Sequence, residues 1–553
     1  MSRYISQMVT IDGNTITGST GDDRVNLAKR PIDSAFVFAD LGDGNDVLRD
    51  YEDDGWFGNY YMSVRGGSGD DSLYGGSSPD ALYGDAGNDY IYLYGDLDTQ
   101  ELATAIGGAG NDTIEIRECG NAYGGKGSDT IIIKEPVEAG TISGGQGDDT
   151  LTLIAPTLFT LNDLKVDTVE RVTFNNPYSW NVDLRTTDEF LDKFDRIGFK
   201  GKPFDLYFSN RTDFRSPEIF ERLNFNIFGS DSDDIIKLGE TEGLTLQGGY
   251  GDDVLQGRNV IGGEGFDTIY GTRLNDKLST GDTADADTVY AGEGDDQIST
   301  HNRTDVVYGG DGDDTIFVLR NEKPFTGIIS GGEGADVLAV SKGYSIFDDI
   351  SLNYKGGSGV DTLKFNEGTL KSNDKIQAEI LDVYNVFATA KQLSAFDVIR
   401  LRGKSGTLGI TEEGELDVSK VEFGGGNIYR IAGSKGDDNI HQDADSDQNL
   451  SIGGGKGNDV IAGGAGDDKL TGGDGVDRFV FRNDFGVDRI HDFAFGPNHD
   501  VIDLSGVASV KSFSDVEKHM DGNHRHVTIT LDEGSITLDG VNSDNLDDSM
   551  FLF

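Results

Sequence analysis

The residues with the most legible chemistry are six-residue phrases of the form Gly-Gly-x-Gly-x-Asp. Twelve strict copies begin at Gly66, Gly107, Gly124, Gly144, Gly248, Gly262, Gly309, Gly331, Gly356, Gly454, Gly463 and Gly472. Three glycines in six residues permit a tight turn with positive φ and close backbone approach. Their carbonyls can then face a cation, and the Asp at position six adds a charged oxygen. Ca²⁺ is a hard ion that takes about 6–8 oxygen ligands. One turn cannot supply them, so each ion is expected between two stacked coils. The candidate ligands are Gly66, Gly67, Gly69 and Asp71, then Gly107, Gly108, Gly110 and Asp112. The pairs Gly124 and Asp129, Gly144 and Asp149, Gly248 and Asp253, and Gly262 and Asp267 follow. After them come Gly309 and Asp314, Gly331 and Asp336, Gly356 and Asp361, Gly454 and Asp459, Gly463 and Asp468, and Gly472 and Asp477. Degenerate turns add Asp80, Asp89, Asp287, Asp296 and Asp305.

These turns need strands to hold them. Positions six to nine form a short strand, with position eight facing the core and seven and nine facing out, because strand side chains alternate. Leu73, Leu82 and Ile91 occupy the core position. The run 282–317 keeps a period of nine, with Asp287, Asp296, Asp305 and Asp314 in phase. Gly454, Gly463 and Gly472 are in direct tandem; elsewhere strict copies lie about 17 to 25 residues apart, near one full two-strand coil. Calcium turns are therefore expected densely on one side and sparsely on the other. A disordered Gly/Asp-rich tract would not keep apolar residues at a fixed phase. The predicted fold is all-β: a right-handed parallel β-helix or β-roll solenoid of Ca-binding GGxGxDxUx nonapeptides, internally duplicated.

The duplication shows in paired phrases. Tyr123-Gly-Gly-Lys-Gly-Ser-Asp-Thr-Ile131 matches Tyr308-Gly-Gly-Asp-Gly-Asp-Asp-Thr-Ile316, and Phe194-Asp-Arg-Ile197 matches Phe396-Asp-Val-Ile399. Each copy is an array followed by a repeat-poor insert with a short helical pattern, in which Thr187 and Thr389 are plausible N-caps. The predicted organisation is a cap with degenerate turns (1–65), an array (66–154), an insert (155–228), a second array (229–364), a second insert (365–432), a third array (433–482), and a C-terminal cap with a secretion signal (483–553). The inserts read as metal-free coils of the same solenoid.

The chain of 553 residues has 46 basic and 99 acidic side chains, a net charge of −53. Self-repulsion of that size disfavours a compact state without counter-ions. One Ca²⁺ in each of the fourteen clearest turns would add 28 positive charges and leave −25. Nucleic acid and anionic membrane are poor partners for such a chain. The single cysteine, Cys119, excludes an internal disulfide framework and reads as a small buried hydrophobe. No run of apolar residues is long enough for a transmembrane helix. The segment from Met1 to Thr10 has no apolar h-region, so no cleaved secretory signal is expected. Extracellular calcium modules bind at about 10⁻⁴–10⁻³ M. Such a chain would fold outside the cell, and a C-terminal export signal would suit it.

The nonapeptide array resembles the RTX (repeats-in-toxin) hemolysin-type calcium-binding family secreted by Gram-negative type I systems. The stretch Gly472-Gly-Asp-Gly-Val-Asp-Arg-Phe-Val-Phe481, Asp488-Arg-Ile-His-Asp-Phe493 and Asp500-Val-Ile-Asp-Leu-Ser505 is similar to the terminal block of serralysin-like relatives. Asp547-Asp-Ser-Met-Phe-Leu-Phe553 resembles the terminus read by the type I exporter. The resemblance implies Ca²⁺ as cofactor, that exporter as partner, and a secreted, extracellular or cell-surface location.

Catalytic motifs are few. There is no His-Glu-x-x-His, no Gly-x-Ser-x-Gly, and Gly403-Lys404-Ser405 lacks the upstream glycines of a phosphate loop. Carboxylate pairs are too common here to mark a glycosidase. His491, His499, His519, His524 and His526 cluster near the C-terminus; His524 and His526 could share a strand face, with no third ligand evident. Tyrosine recurs at position nine, at Tyr74, Tyr83, Tyr92, Tyr123, Tyr270, Tyr290 and Tyr308. These rings should face out, the first three stacking, either as a ladder supporting the sheet or as a stripe for glycans or a neighbouring subunit. The function expected is a non-enzymatic surface or matrix protein (S-layer, biofilm or adhesion) that self-assembles or binds cell-surface glycan. The alternatives are a polysaccharide lyase or epimerase using insert residues such as Tyr178, Arg185, Arg196 and Arg211, and a host-interaction effector or toxin.

Overall fold

The computed structural model describes residues 9–27, 36–50, 61–76, 78–94, 102–117, 120–134, 140–154, 159–160, 165–176, 182–186, 188–191, 193–194, 196–201, 204–208, 213–215, 218–220, 225–240, 242–281, 285–301, 304–319, 327–340, 353–370, 375–403, 405–425, 429–482, 484–523 and 525–553. The chain divides into two compact units, Met1–Thr268 and Ile269–Phe553.

Each unit is a stack of parallel coils, a β-solenoid. One coil of the first unit shows the plan. Strand Thr104–Ala109 ends in the first two glycines of a phrase, the chain turns through Gly110 to Asp112, and strand Thr113–Arg117 returns on the opposite sheet. The next coil repeats this with Asn121–Lys126 and Thr130–Ile133, paired in parallel and in register with the first. Among the described residues, eight strands of one sheet and ten of the other are paired in parallel this way. The expected alternation holds: Leu73, Leu82 and Ile91 are fully buried.

Register stacks like on like. Leu48, Leu73, Ile91, Ile114, Ile131, Leu151, Val172 and Ile197 are consecutive partners down one sheet, and each is buried. Burying each such side chain is worth about 2 kcal/mol. In the second unit Ile298, Ile316, Leu338, Leu363, Leu381 and Ile399 form the same kind of column.

Coils approach closely because glycine backbones meet. Gly67 has φ 109° and Gly69 has φ 124°. A Cβ on Gly67 would collide with the carbonyl oxygen of Gly42 in the preceding coil. Only glycine satisfies both demands.

Where nonapeptides follow in direct tandem, one coil holds two of them and turns occupy both sides. The Asp287 N–H donates to Asp305 Oδ1 at 3.1 Å, and the Asp296 N–H to Asp314 Oδ1 at 2.9 Å, each partner eighteen residues on. Parallel pairing also passes into repeat-poor sequence: Arg171–Asn176 pairs with Thr150–Ile154 and Arg196–Gly201. Thr389 caps the helix Ala390–Ser394 in a capping box with Gln392. Thr187 and Cys119 lie outside the described residues. Antiparallel hairpins stand at sheet edges, Thr10–Asp12 with Thr15–Ser19 in the first unit and Met520–Asn523 with His526–Leu531 in the second.

The tyrosine stack needs correction. Tyr74 and Tyr92 are register partners with ring centroids 6.2 Å apart, but Tyr83 belongs to the other sheet, beneath the Arg65 guanidinium. Nine residues are half a coil, so consecutive nonapeptides put position nine on opposite sheets. The continuous ladder is Tyr270, Tyr290 and Tyr308, with centroids 5.3 and 5.1 Å apart and rings within 12° of parallel.

Candidate metal centres

The turn carboxylates form a ladder. In the first unit the backbone N–H of Asp46 donates to Oδ1 of Asp71 at 2.7 Å. Asp71 does the same to Asp89, Asp89 to Asp112, Asp112 to Asp129 and Asp129 to Asp149, each at 2.8 Å. The second unit repeats it from Asp276 through Asp296, Asp314 and Asp336 to Asp361 at 2.8–3.0 Å. One carboxylate oxygen of each Asp thus ties its coil to the coil before.

The other oxygen is left over. Oδ2 of Asp46, Asp71, Asp89, Asp112, Asp129, Asp149, Asp253, Asp296, Asp314, Asp336, Asp459, Asp468 and Asp477 is buried without a hydrogen-bond partner. A carboxylate oxygen buried this way is costly unless a cation meets it. Burial, and then the neighbouring carboxylates, push Asp71, Asp112, Asp296, Asp314 and Asp459 up to about 7 and Asp253 up to about 8, against the backbone hydrogen bond that lowers them. Each is a place where a positive charge would favour the ionised carboxylate.

The first glycine of each phrase makes the cradle. A Cβ on Gly66 would strike Asp71 Oδ2 and the carbonyl oxygen of Gly84 in the next coil. On Gly84 it would strike Asp89 Oδ2 and the Gly107 carbonyl, and on Gly107 Asp112 Oδ2 and the Gly124 carbonyl. A carboxylate oxygen and a carbonyl oxygen from successive coils therefore converge where the side chain is missing. Among the described residues no three His, Cys, Asp or Glu side chains gather at one point. The donor set is carbonyl-rich oxygen with one or two carboxylates, which fits Ca²⁺ and not a thiolate- or imidazole-seeking metal.

The model of the RTX calcium-binding nonapeptide repeat (four copies) matches residues 65–99, 104–115, 140–153, 245–259, 261–298, 290–318 and 453–484. These stretches of the chain carry RTX calcium-binding nonapeptide repeats. No curated protein matches it. Among solved structures, the extracellular lipase LipA from Serratia marcescens matches at 18% identity over 49% of this chain, with a TM-score of 0.16. The match spans 40% of that lipase chain, and a likeness of this size carries no argument.

The RTX turns differ in how they treat the leftover oxygen. Where Ser or Thr replaces the second glycine, the turn closes on itself. The Ser19 N–H donates to Asp23 Oδ2 at 2.6 Å, Ser230 to Asp234 at 2.6 Å, Ser434 to Asp438 at 2.6 Å and Thr272 to Asp276 at 2.5 Å. Both oxygens of Asp80 have backbone donors, Met62 at 2.8 Å and Gly76 at 2.9 Å. Asp305 Oδ2 accepts from the hydroxyls of Thr300 and Thr280. These carboxylates are satisfied by protein, which sets Asp80 and Asp305 apart from Asp71.

Asp46 shares the unpaired oxygen of the strict phrases although its turn, Leu41-Gly-Asp-Gly-Asn-Asp46, lacks the first glycine. Its glycines at positions two and four are the signal that marks it.

The C-terminal histidines do not converge. His491 Nδ1 lies 2.8 Å from Asp539 Oδ2, His499 bonds the carbonyls of Gly496 and Ser549, and His519 bonds that of Asp515. His524, Tyr178 and Arg211, with the side chains of Arg185 and Arg196, lie outside the described residues. Among the described residues no helix is long and apolar enough to cross a membrane.

Proposed function

We propose that this RTX-repeat protein is a secreted calcium-binding solenoid that folds on extracellular Ca²⁺ and serves as a non-enzymatic surface or matrix component. The observation that carries the calcium step is the row of buried Asp Oδ2 atoms without protein donors, set against carbonyls of the next coil. Without cations these carboxylates face one another in a chain of net charge −53. With cations each cradle gains a divalent counter-charge, and binding free energy becomes folding free energy. Weak sites of the extracellular type would stay empty at cytosolic calcium. Export of the unfolded chain by a type I system and folding outside follow from that difference.

The surface role is supported by the extent of the arrays: cradles recur in both units, from Asp46 to Asp253 and from Asp296 to Asp477, so calcium-built coils account for much of the sequence. Calcium titration of the purified chain, followed by circular dichroism and light scattering, tests both steps. A transition to β-structure with growth into large particles supports a self-assembling surface protein. The same transition with a monomeric endpoint removes the assembly role, and no transition removes the calcium step.

A further inference from the structure

We propose that Glu170 and the carbonyl of Thr168 close the last calcium site of the first array, from a segment without a Gly-Gly-x-Gly-x-Asp phrase. The proposal rests on the calcium reading above and deepens it.

Within the array each site joins two turns. At Gly124 a Cβ would meet Asp129 Oδ2 and the carbonyl oxygen of Gly144, the first glycine of the next turn. At Gly144 no further RTX turn follows. There a Cβ would meet Asp149 Oδ2 and the carbonyl oxygen of Thr168. Thr168 thus presents its carbonyl where the array would present a glycine's.

Its backbone fits that role. Thr168 has φ 50°, which a β-branched residue rarely adopts. Its hydroxyl accepts from the Gly145 N–H at 2.9 Å and lies 2.9 Å from the Ser143 hydroxyl.

Glu170 takes the Asp position. The Asp149 N–H donates to Glu170 Oε2 at 2.8 Å, as the Asp129 N–H donates to Asp149 Oδ1 at 2.8 Å. Asp149 is 1% exposed, and its Oδ2 has no partner. The longer glutamate side chain continues the carboxylate ladder from the residue before strand Arg171–Asn176, which no glycine turn precedes. The site therefore holds one unpaired buried carboxylate oxygen, a carbonyl in the cation-facing register and a second carboxylate one coil on. That is an oxygen set for Ca²⁺.

The carboxylate ladder ends on a glutamate in the second unit too, where the Asp361 N–H donates to Glu379 Oε2 at 2.8 Å. The last ladder closes differently. Asp500 accepts the Asp477 N–H at 2.9 Å with one oxygen and the Ala494 N–H at 2.7 Å with the other, so it needs no cation.

The test counts ions on the full chain. Glu170→Gln keeps an amide oxygen for the Asp149 N–H and removes only the charge. Native mass spectrometry at saturating calcium should find one ion fewer in Glu170→Gln and at least one fewer in Asp149→Asn, which also stands one coil on from the Gly124 site. The double variant should lose no more ions than Asp149→Asn alone, because Glu170 serves a site that Asp149 already forms. Hydrogen exchange over 141–172 should reach full protection at higher calcium in Glu170→Gln than in the parent. An unchanged ion count with unchanged protection in Glu170→Gln overturns the proposal, as does loss of more ions in the double variant than in Asp149→Asn alone. Failure of the calcium reading itself would look different: the parent chain would bind no calcium. Should Glu170→Gln not fold, Glu379→Gln with Asp361→Asn puts the same question to the second unit.

Discussion

The backbone N–H of Asp112 donates to Oδ1 of Asp129, one coil away, at 2.8 Å, while Oδ2 of Asp129 is buried with no partner. The two oxygens of one carboxylate thus do separate jobs. One fixes the register between coils, and the other waits for a cation. Replacing Asp129 with Asn keeps the first job and removes the second. Asp129→Asn should bind one Ca²⁺ fewer and need more calcium to reach full β-structure, read by dichroism and native mass spectrometry.

Asp438 is the counterpart. Its Oδ2 already accepts the Ser434 N–H at 2.6 Å. Asp438→Asn would aim an amide N–H at that donor and cost about 1–3 kcal/mol of stability. It should leave the ion count unchanged. A lost ion in Asp438→Asn would show that self-closed turns also bind calcium.

The pH response of the calcium-free chain follows from the raised carboxylates. An exposed Asp titrates near about 3.9. In the fold, burial pushes Asp71 and Asp112 up to about 7 and Asp253 up to about 8. Between these values the folded state holds more protons than the unfolded one, so the free energy of unfolding falls as pH rises. The stabilising contribution is present in acid and is lost as pH rises through about 7–8. In chelator, β-structure should be greater at pH 5 than at pH 8. With calcium the order reverses, because protons compete with the ion and affinity grows with pH. A pH-independent spectrum in chelator would contradict the assignment.

Much of this was legible in the sequence. The phase of Leu73, Leu82 and Ile91 marks the core, because each nonapeptide gives one strand with one inward apolar residue. The cradles follow from glycine and Asp at fixed places. Three things were hidden. Thr168 and Glu170 imitate a turn without its residues, and only register reveals them. The self-closed turns look like degenerate RTX copies until the Ser434 and Thr272 N–H groups are seen on their own carboxylates. Tyr83 falls on the opposite sheet from Tyr74, because the coil is two nonapeptides around.

The Tyr270–Tyr290–Tyr308 ladder bears on glycan binding. Ring centroids 5.1–5.3 Å apart and nearly parallel leave no gap for a sugar between them, although each tyrosine is exposed. The ladder supports its sheet through stacked pairs. Tyr290→Ala breaks both contacts and should cost about 1–3 kcal/mol at saturating calcium, measured by denaturant unfolding. Retention of soluble polysaccharide should match the parent. A stable variant with lost retention would return the ladder to a binding role.

Glycine at position two is the residue most constrained by stacking. Gly125 has φ 118°, and a Cβ there would collide with the carbonyl oxygen of Gly108. Gly125→Ala therefore meets two penalties. An L-residue at this φ is strained by about 1–3 kcal/mol, and the coils must part to relieve the clash. Parting them separates the Gly124 carbonyl from Asp112 Oδ2, so the cradle opens as well. The variant should lose at least one ion and fold at higher calcium than the parent, whereas Lys126→Ala, whose side chain is exposed on the same turn, should match it. Equal calcium midpoints for Gly125→Ala and the parent would mean that coil contact at this glycine does not govern the cradle.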